Sequence, residues 1–349
     1  MHELLDDELR FRYECQERNG GESHSMWISR LDALLEKAGD QLEVLGVADW
    51  SKANPTEAEA ALQVIDRTLA SEGYATCIRT ELLSTSFSEP ISLSSPLDFY
   101  MNVEGRDCAL LRFPSYRREF ISRHWRTGLS PIDCDLGAML YIAIAQRENI
   151  PLSFVDVPGH NFIRWNLIDG TYINWDTNDA SVYADDEYRS AVPLTTSIKF
   201  SVEEEIANKY LVNMSLEEVT GYYHGLLANY INPQHAPCIE ELFNMPNSEI
   251  QRTPTSINNF AWAFSTMEYF SNTAYVQIAI DFAERATSIR PQTSVYWNTL
   301  SCAYAAAGRF DDAIRVESEQ VSKQSLRIES YRNGQNCYIA SVACGGDCQ

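Results

Sequence analysis

Residues 134–176 read CDLGAMLYIAIAQRENIPLSFVDVPGHNFIRWNLIDGTYINWD, and this stretch decides the fold. From Cys134 to Glu148 apolar residues occupy nearly every turn, and the pattern stops before Pro151, so the segment reads as a helix buried in a core. Leu152-Ser153-Phe154-Val155-Asp156-Val157 is short, alternating and rich in β-formers. After Pro158-Gly159, His160 to Trp165 alternates again. Asp169-Gly170 marks a hairpin turn, followed by Thr171-Tyr172-Ile173-Asn174-Trp175. The order helix, strand, strand, turn, strand predicts an α+β core: a helix on an antiparallel sheet.

Outward from this core the chain reads as helix. Residues 1–95 carry helical spacing in Trp27-Ile28-x-x-Leu31-x-x-Leu34-Leu35 and again from Ala58 to Ala70, with an Asn54-Pro55 turn between them. Residues 96–200 hold the core. Residues 201–250 read as a helical connector, opened by the capping box Ser201-x-x-Glu204. Over 255–325 the chain repeats itself. Asn259-Phe260-Ala261-Trp262-Ala263-Phe264 matches Thr299-Leu300-Ser301-Cys302-Ala303-Tyr304 at an offset of 40, and Ala279 matches Ala313 at an offset of 34. The second spacing is that of the tetratricopeptide helical hairpin, which Trp297, Leu300, Tyr304, Gly308, Phe310 and Ala313 follow; a longer first hairpin around Tyr269 to Thr273 accounts for the first. Such a pair is expected to pack on the connector around Leu211–Tyr230. Residues 326–349 form a small-residue tail.

Composition limits function. At roughly 100–200 residues per domain, the 349 residues make two or three domains. With 27 Lys+Arg against 49 Asp+Glu the formal net charge is −22, which repels phosphate backbones and anionic lipid, so neither nucleic acid nor membrane is an expected partner. No run approaches the ~20 apolar residues of a membrane span, and the acidic start lacks a secretory signal, so a cytoplasmic protein is expected. The nine cysteines are odd in number and scattered, which is no disulfide framework. The tail cysteines Cys337, Cys344 and Cys348 match no tight zinc spacing. Phosphate-loop, dinucleotide and His-Glu-x-x-His motifs are missing from the sequence, so no metal and no cofactor is expected. The acidic run Asp185-Asp186-Glu187 reads as a solvated loop.

One set of residues fits chemistry. A cysteine nucleophile needs a base, and the base needs an orienting group. Cys134 lies at a helix N-terminus, where the dipole favours a thiolate. His160 starts one strand and Asp176 ends the next. The two are symmetric about residue 168, beside the turn, which makes them cross-strand neighbours. Asp133 and Asp135 flank the thiol, raise its pKa and oppose the dipole. Trp125 and Asn161 are side-chain candidates for an oxyanion donor, beside the Cys134 backbone N–H.

The order Cys, His, Asp on a helix start and two adjacent strands resembles the transglutaminase-like superfamily. The closer likeness is to its SirB-type branch, whose members often carry tetratricopeptide repeats after the core. It is carried by Cys134 to Arg147, Asn149-Ile150-Pro151-Leu152, Val157 to Trp165 and Tyr172 to Asp176. Where family members often have Gly-Asn before the cysteine, this chain has Pro131-Ile132-Asp133. The resemblance implies a papain-like core, with Cys134 as nucleophile, His160 as base and Asp176 as orienter. It implies acyl transfer or hydrolysis at an amide, as a protease, amidase or deamidase, on a protein or peptide. The alternative is a non-catalytic scaffold that binds a partner through the repeats.

Overall fold

The computed structural model describes residues 24–76, 130–190, 199–230, 254–267, 273–321 and 326–334, together with Leu5 and Phe270. The chain divides into two compact units, 1–216 and 217–349. The first is a mixed helix and antiparallel-sheet fold. It starts with α1 (His24–Glu43), a 3-10 turn at Trp50–Lys52, α2 (Pro55–Ser71) and β1 (Tyr74–Thr76). Next come β2 (Ser130–Ile132), α3 (Cys134–Glu148), β3 (Leu152–Val157), β4 (His160–Asn166), β5 (Tyr172–Asp176) and β6 (Ser181–Val182). Two short helices, α4 (Asp185–Arg189) and α5 (Val202–Asn208), and β7 (Asn213–Met214) complete it. The main sheet is antiparallel in the order β6-β5-β4-β3-β7, while β1 and β2 form a separate parallel pair.

The helix expected from Cys134 to Glu148 is α3, and its burial explains its composition. Every residue from Asp135 to Ala145 is buried, because α1 covers one side and β3 and β4 the other. A helix apolar all round belongs in such a position. Its C-terminus ends on Asn149 in the left-handed region (φ 57°), and the Asn149 N–H closes on the Ala145 carbonyl. The α1 stripe Trp27, Leu31, Leu34, Leu35, Ala38, Leu42 is buried at helical spacing, and α1 also packs on α2. The Asn54 side chain caps α2 by accepting from the N–H groups of Thr56 and Glu57, and Glu57 accepts from the Asn54 N–H in return. The helical region expected over 1–95 is thus represented by α1 and α2, which join the sheet unit rather than standing apart.

The opposite sheet face carries a second core of Val155, Val157, Phe162, Tyr188, Phe200, Tyr210 and Leu211. Phe200 lies just before the expected connector and Tyr210 and Leu211 in its first part, so residues up to 216 belong with the sheet. A left-handed Leu211 (φ 58°) gives its N–H to the Asp156 carbonyl, and its own carbonyl accepts from Arg164 Nη1 at 2.7 Å. Arg164 is buried at 5% exposure. It also donates to Asn174 Oδ1 (2.7 Å) and Asp185 Oδ1 (2.9 Å), and its guanidinium lies 4.1 Å from the Tyr172 ring centre. Asp185 further accepts from Tyr172 and Asn174, at 2.7 Å each. The expected solvated run Asp185-Asp186-Glu187 is therefore the first turn of α4, with Asp185 inside a buried network.

The second unit is helical: α6 (Leu216–Tyr230), α7 (Pro254–Thr266), α8 (Ala274–Ile289), α9 (Ser294–Ala306), α10 (Phe310–Val316), a π-helical turn at Glu317–Val321 and α11 (Leu326–Arg332). From α7 to α10 each helix packs on the next, and α7 also packs on α9. Gly308 (φ 73°) ends α9, and the Arg309 N–H closes on the Tyr304 carbonyl. A Cβ at Gly225 of α6 would stand 3.0 Å from the Ser256 carbonyl and 3.0 Å from Asn259 Cβ on α7, so a connector helix does pack closely on the first hairpin. Cys302 is disulfide-bonded, although the scattered cysteines read as no disulfide framework.

Removing one partner of a buried ion pair leaves the other charge unpaired. Arg164→Met is expected to lower the unfolding free energy, measured by urea denaturation, by about 3 kcal/mol. A loss below about 1 kcal/mol would show that the Arg164 network does not hold β4, β5 and α4 together.

Candidate functional site

The site is built where α3 begins and β4 and β5 meet. Asp133 caps the helix, accepting from the Leu136 N–H at 2.9 Å while its carbonyl accepts from the Gly137 N–H at 2.8 Å. Gly137 sits one turn in. A Cβ there would lie 2.9 Å from Thr177 Oγ1 and 3.3 Å from Thr177 Cβ, so glycine lets the helix start close on the end of β5. Cys134 is half-buried at the first helical position.

His160 and Asp176 meet. His160 Nε2 lies 2.7 Å from Asp176 Oδ2, and both side chains are buried, at 1% and 0% exposure. A carboxylate only accepts, so the ring donates from Nε2, and a neutral imidazole then keeps its lone pair at Nδ1. Asp176 Oδ1 accepts from the Asn178 N–H at 2.9 Å. The Tyr188 hydroxyl donates to Asp176 Oδ2 at 3.2 Å.

The route to this contact differs from the expected one. The β4–β5 loop holds three residues, Ile168-Asp169-Gly170, with Leu167 N–H bonded to the Thr171 carbonyl and Gly170 left-handed at φ 82°. Asp169 Oδ1 accepts from the Thr171 N–H and hydroxyl. Pairing runs Asn166↔Tyr172 to Ile163↔Trp175, which centres the hairpin on 169 rather than 168. Continued one step, this register sets Asp176 opposite Phe162. His160 and Asp176 are therefore diagonal neighbours, still within reach of long side chains.

Alternation along β4 separates the thiol from the ring. His160, Phe162 and Asp176 all touch Tyr188. Asn161 points the other way: its Nδ2 donates to Asp135 Oδ1 and lies 3.8 Å from Cys134 Sγ. Trp165 meets Trp50 at 6.0 Å and Trp175 Nε1 donates to the Tyr141 hydroxyl of α3, so the odd-numbered residues face the helices. Among the described residues, no hydrogen bond joins Cys134 to His160. Two of the three expected partners meet, and the third is held by Asn161 instead. Of the two oxyanion candidates, Asn161 is thus at the sulfur, and Trp125 lies outside the described residues. The residue that sequence reasoning missed is Tyr188, for which a buried aromatic near an apolar strand was the only signal.

Electrostatics around the sulfur favour the thiol. Burial pushes the Cys134 thiol well up, and the charges of Asp135, Asp133 and Asp176 push it further. Burial, then Asp135, also raises Asp133 well above the usual carboxylate range, and its Oδ2 is buried with no hydrogen-bond partner among the described residues. Among the described residues, no group of three or more His, Cys, Asp or Glu is placed to hold a metal ion, and no helix is long and apolar enough to cross a membrane.

Comparison of the chain with protein-family models, with curated proteins and with solved structures found no match.

Asp133 has a folded-state pKa above its unfolded value, so its burial favours the folded state at low pH. That relative advantage is lost as pH rises through the raised value. Asn caps a helix as well as Asp does. Asp133→Asn is expected to raise the melting temperature at pH 8 relative to the parent, with a smaller gain at pH 4, and to speed iodoacetamide labelling of Cys134 at pH 8. Equal melting temperatures at pH 8 and an unchanged labelling rate would mean that the Asp133 charge does not burden this site.

Proposed function

We propose that this chain is a transglutaminase-like cysteine enzyme of the SirB type, acting on an amide of a protein or peptide. In this reading the sheet unit is its papain-like core and the hairpins α7 to α10 are tetratricopeptide repeats that engage the partner. The observation that carries the proposal is the buried His160–Asp176 bond at 2.7 Å. It fixes an imidazole with its basic nitrogen free of bonds to described residues, at the end of the sheet where a helix begins on a cysteine.

The chemistry follows from these groups. Burial and the Asp135 and Asp133 charges disfavour a resting thiolate, so the base acts during the reaction. For this the Cys134 side chain must turn from Asn161 toward His160 Nδ1. Catalytic hydrogen bonds are often long before substrate binds. As the sulfur bonds to the amide carbon, its proton passes to Nδ1, and Asp176 stabilises the imidazolium. His160 then protonates the leaving amine as the C–N bond breaks. Water attacks the thioester and returns a carboxylic acid and the thiol; an amine in place of water gives a new amide. Asn161 Nδ2, which lies 3.8 Å from Cys134 Sγ, and the Cys134 backbone N–H are the candidates to serve the developing oxyanion.

A second reading, a non-catalytic scaffold, is favoured by one observation: among the described residues Cys134 makes no bond to His160, and burial, then Asp135 and Asp133, push its thiol up, away from a thiolate. One measurement separates the two. Iodoacetamide labelling of Cys134 at pH 7.5, followed by mass spectrometry, is expected to slow at least about tenfold in His160→Ala. Equal rates in both proteins would sink the enzyme reading and leave the scaffold.

A further inference from the structure

We propose that Tyr188 is a positioning residue for the His160 base: its hydroxyl holds the very carboxylate oxygen, Asp176 Oδ2, to which the imidazole donates, and its ring forms the wall behind that imidazole. This deepens the reading of His160 as a base and rests on it for its catalytic meaning. Tyr188 is completely buried. Its ring lies 4.0 Å from Phe162 at 9°, and 6.3 Å from His160 at 25°, with Tyr183 edge-on at 5.9 Å. A buried phenol needs an acceptor, and Asp176 is the one it finds.

With Asn178 N–H on Oδ1 and two donors on Oδ2, the carboxylate plane is fixed on both sides. The imidazole is held in turn, and Nδ1 keeps one direction. Burial and then Asp176 raise the Tyr188 hydroxyl well above its ordinary range, so it remains a donor across any working pH. The hydroxyl also draws charge from Oδ2. Without it that oxygen is a stronger acceptor, and the imidazolium is favoured. The other ionisable groups gathered here are Tyr183 and Asp179, joined at 2.5 Å between β5 and α4, and Cys134 with Asp133 and Asp135 at the start of α3. None of these replaces the lost donor on Oδ2.

The test is Tyr188→Phe, which keeps the ring and removes only the hydroxyl. The titration midpoint of the His160 ring protons is read by NMR, with the signal assigned from its loss in His160→Gln. The midpoint is expected to rise by about half a unit to one unit, the size of one hydrogen bond's influence. A residue that merely filled space would change melting temperature and leave this midpoint in place, and an unmoved midpoint in folded Tyr188→Phe overturns the proposal. If that variant does not fold, the parent protein decides: a slowly exchanging Tyr188 hydroxyl proton with a cross-peak to the His160 Nε2 proton is expected, and its absence overturns the proposal. A shifted midpoint beside His160-independent labelling of Cys134 supports the Tyr188 role while removing the enzyme reading. A fixed midpoint beside His160-dependent labelling does the reverse.

Discussion

The close approach of the first turn of α3 to the end of β5 governs the site. At Gly137 there is no room for a Cβ beside Thr177, and Thr177 directly follows Asp176. The same turn begins with Cys134 and is capped by Asp133. One seam therefore sets the separation between the sulfur-bearing helix end and the carboxylate that orients the imidazole. Protein interiors deform little before they repack, so a seam of this tightness keeps both groups in register with the sheet. The Thr177 hydroxyl is buried against it with no hydrogen-bond partner among the described residues, which is the cost of packing a polar side chain where space matters most.

The elements were legible in the sequence where periodicity was strong. The buried helix 134–148 and the strands 152–157 and 160–166 follow from runs of apolar or alternating residues. What was illegible came from tertiary contacts. The parallel pairing of β1 with β2 joins three-residue strands, too short for any periodic signal. Tyr210 and Leu211 look like connector residues, yet they pack on the sheet because Arg164 takes the Leu211 carbonyl and Leu211 accepts a left-handed backbone. Asp185 looks like part of a solvated run until Arg164, Asn174 and Tyr172 converge on it.

At the site, residue types and chain order were readable, but register and facing were not fully used. A two-residue Asp169-Gly170 loop would centre the hairpin on 169.5 and the observed three-residue loop centres it on 169, one residue from the 168 that direct pairing of His160 with Asp176 requires. That slip turns a direct cross-strand pair into a diagonal one without breaking it, because His and Asp side chains span the added distance. Parity carries more weight. His160 shares its parity with Phe162 and Arg164, and Asn161 shares its own with Ile163 and Trp165, which face the helices. The sequence already contained this pattern: a strand buried on both faces puts its neighbours on opposite sides, so the residue facing α3 is Asn161.

The opposed faces give the electrostatics their meaning. A preformed thiolate–imidazolium pair needs the two groups in contact and a field that favours negative charge on sulfur. Here the helix dipole favours the thiolate, but burial and three carboxylates oppose it. Two of those carboxylates lie beside the sulfur in sequence, so they act at short range inside a low-dielectric seam, where a helix-end effect of about 0.3–1 kcal/mol does not prevail. Burial and these charges therefore disfavour a thiolate at Cys134. In the proposed enzyme reading its proton leaves when a base is brought to it, and that base would be the ring that Asp176 and Tyr188 hold in one orientation. On that proposal, separation of thiol and imidazole in the resting molecule would couple reactivity to whatever turns the cysteine side chain toward the ring.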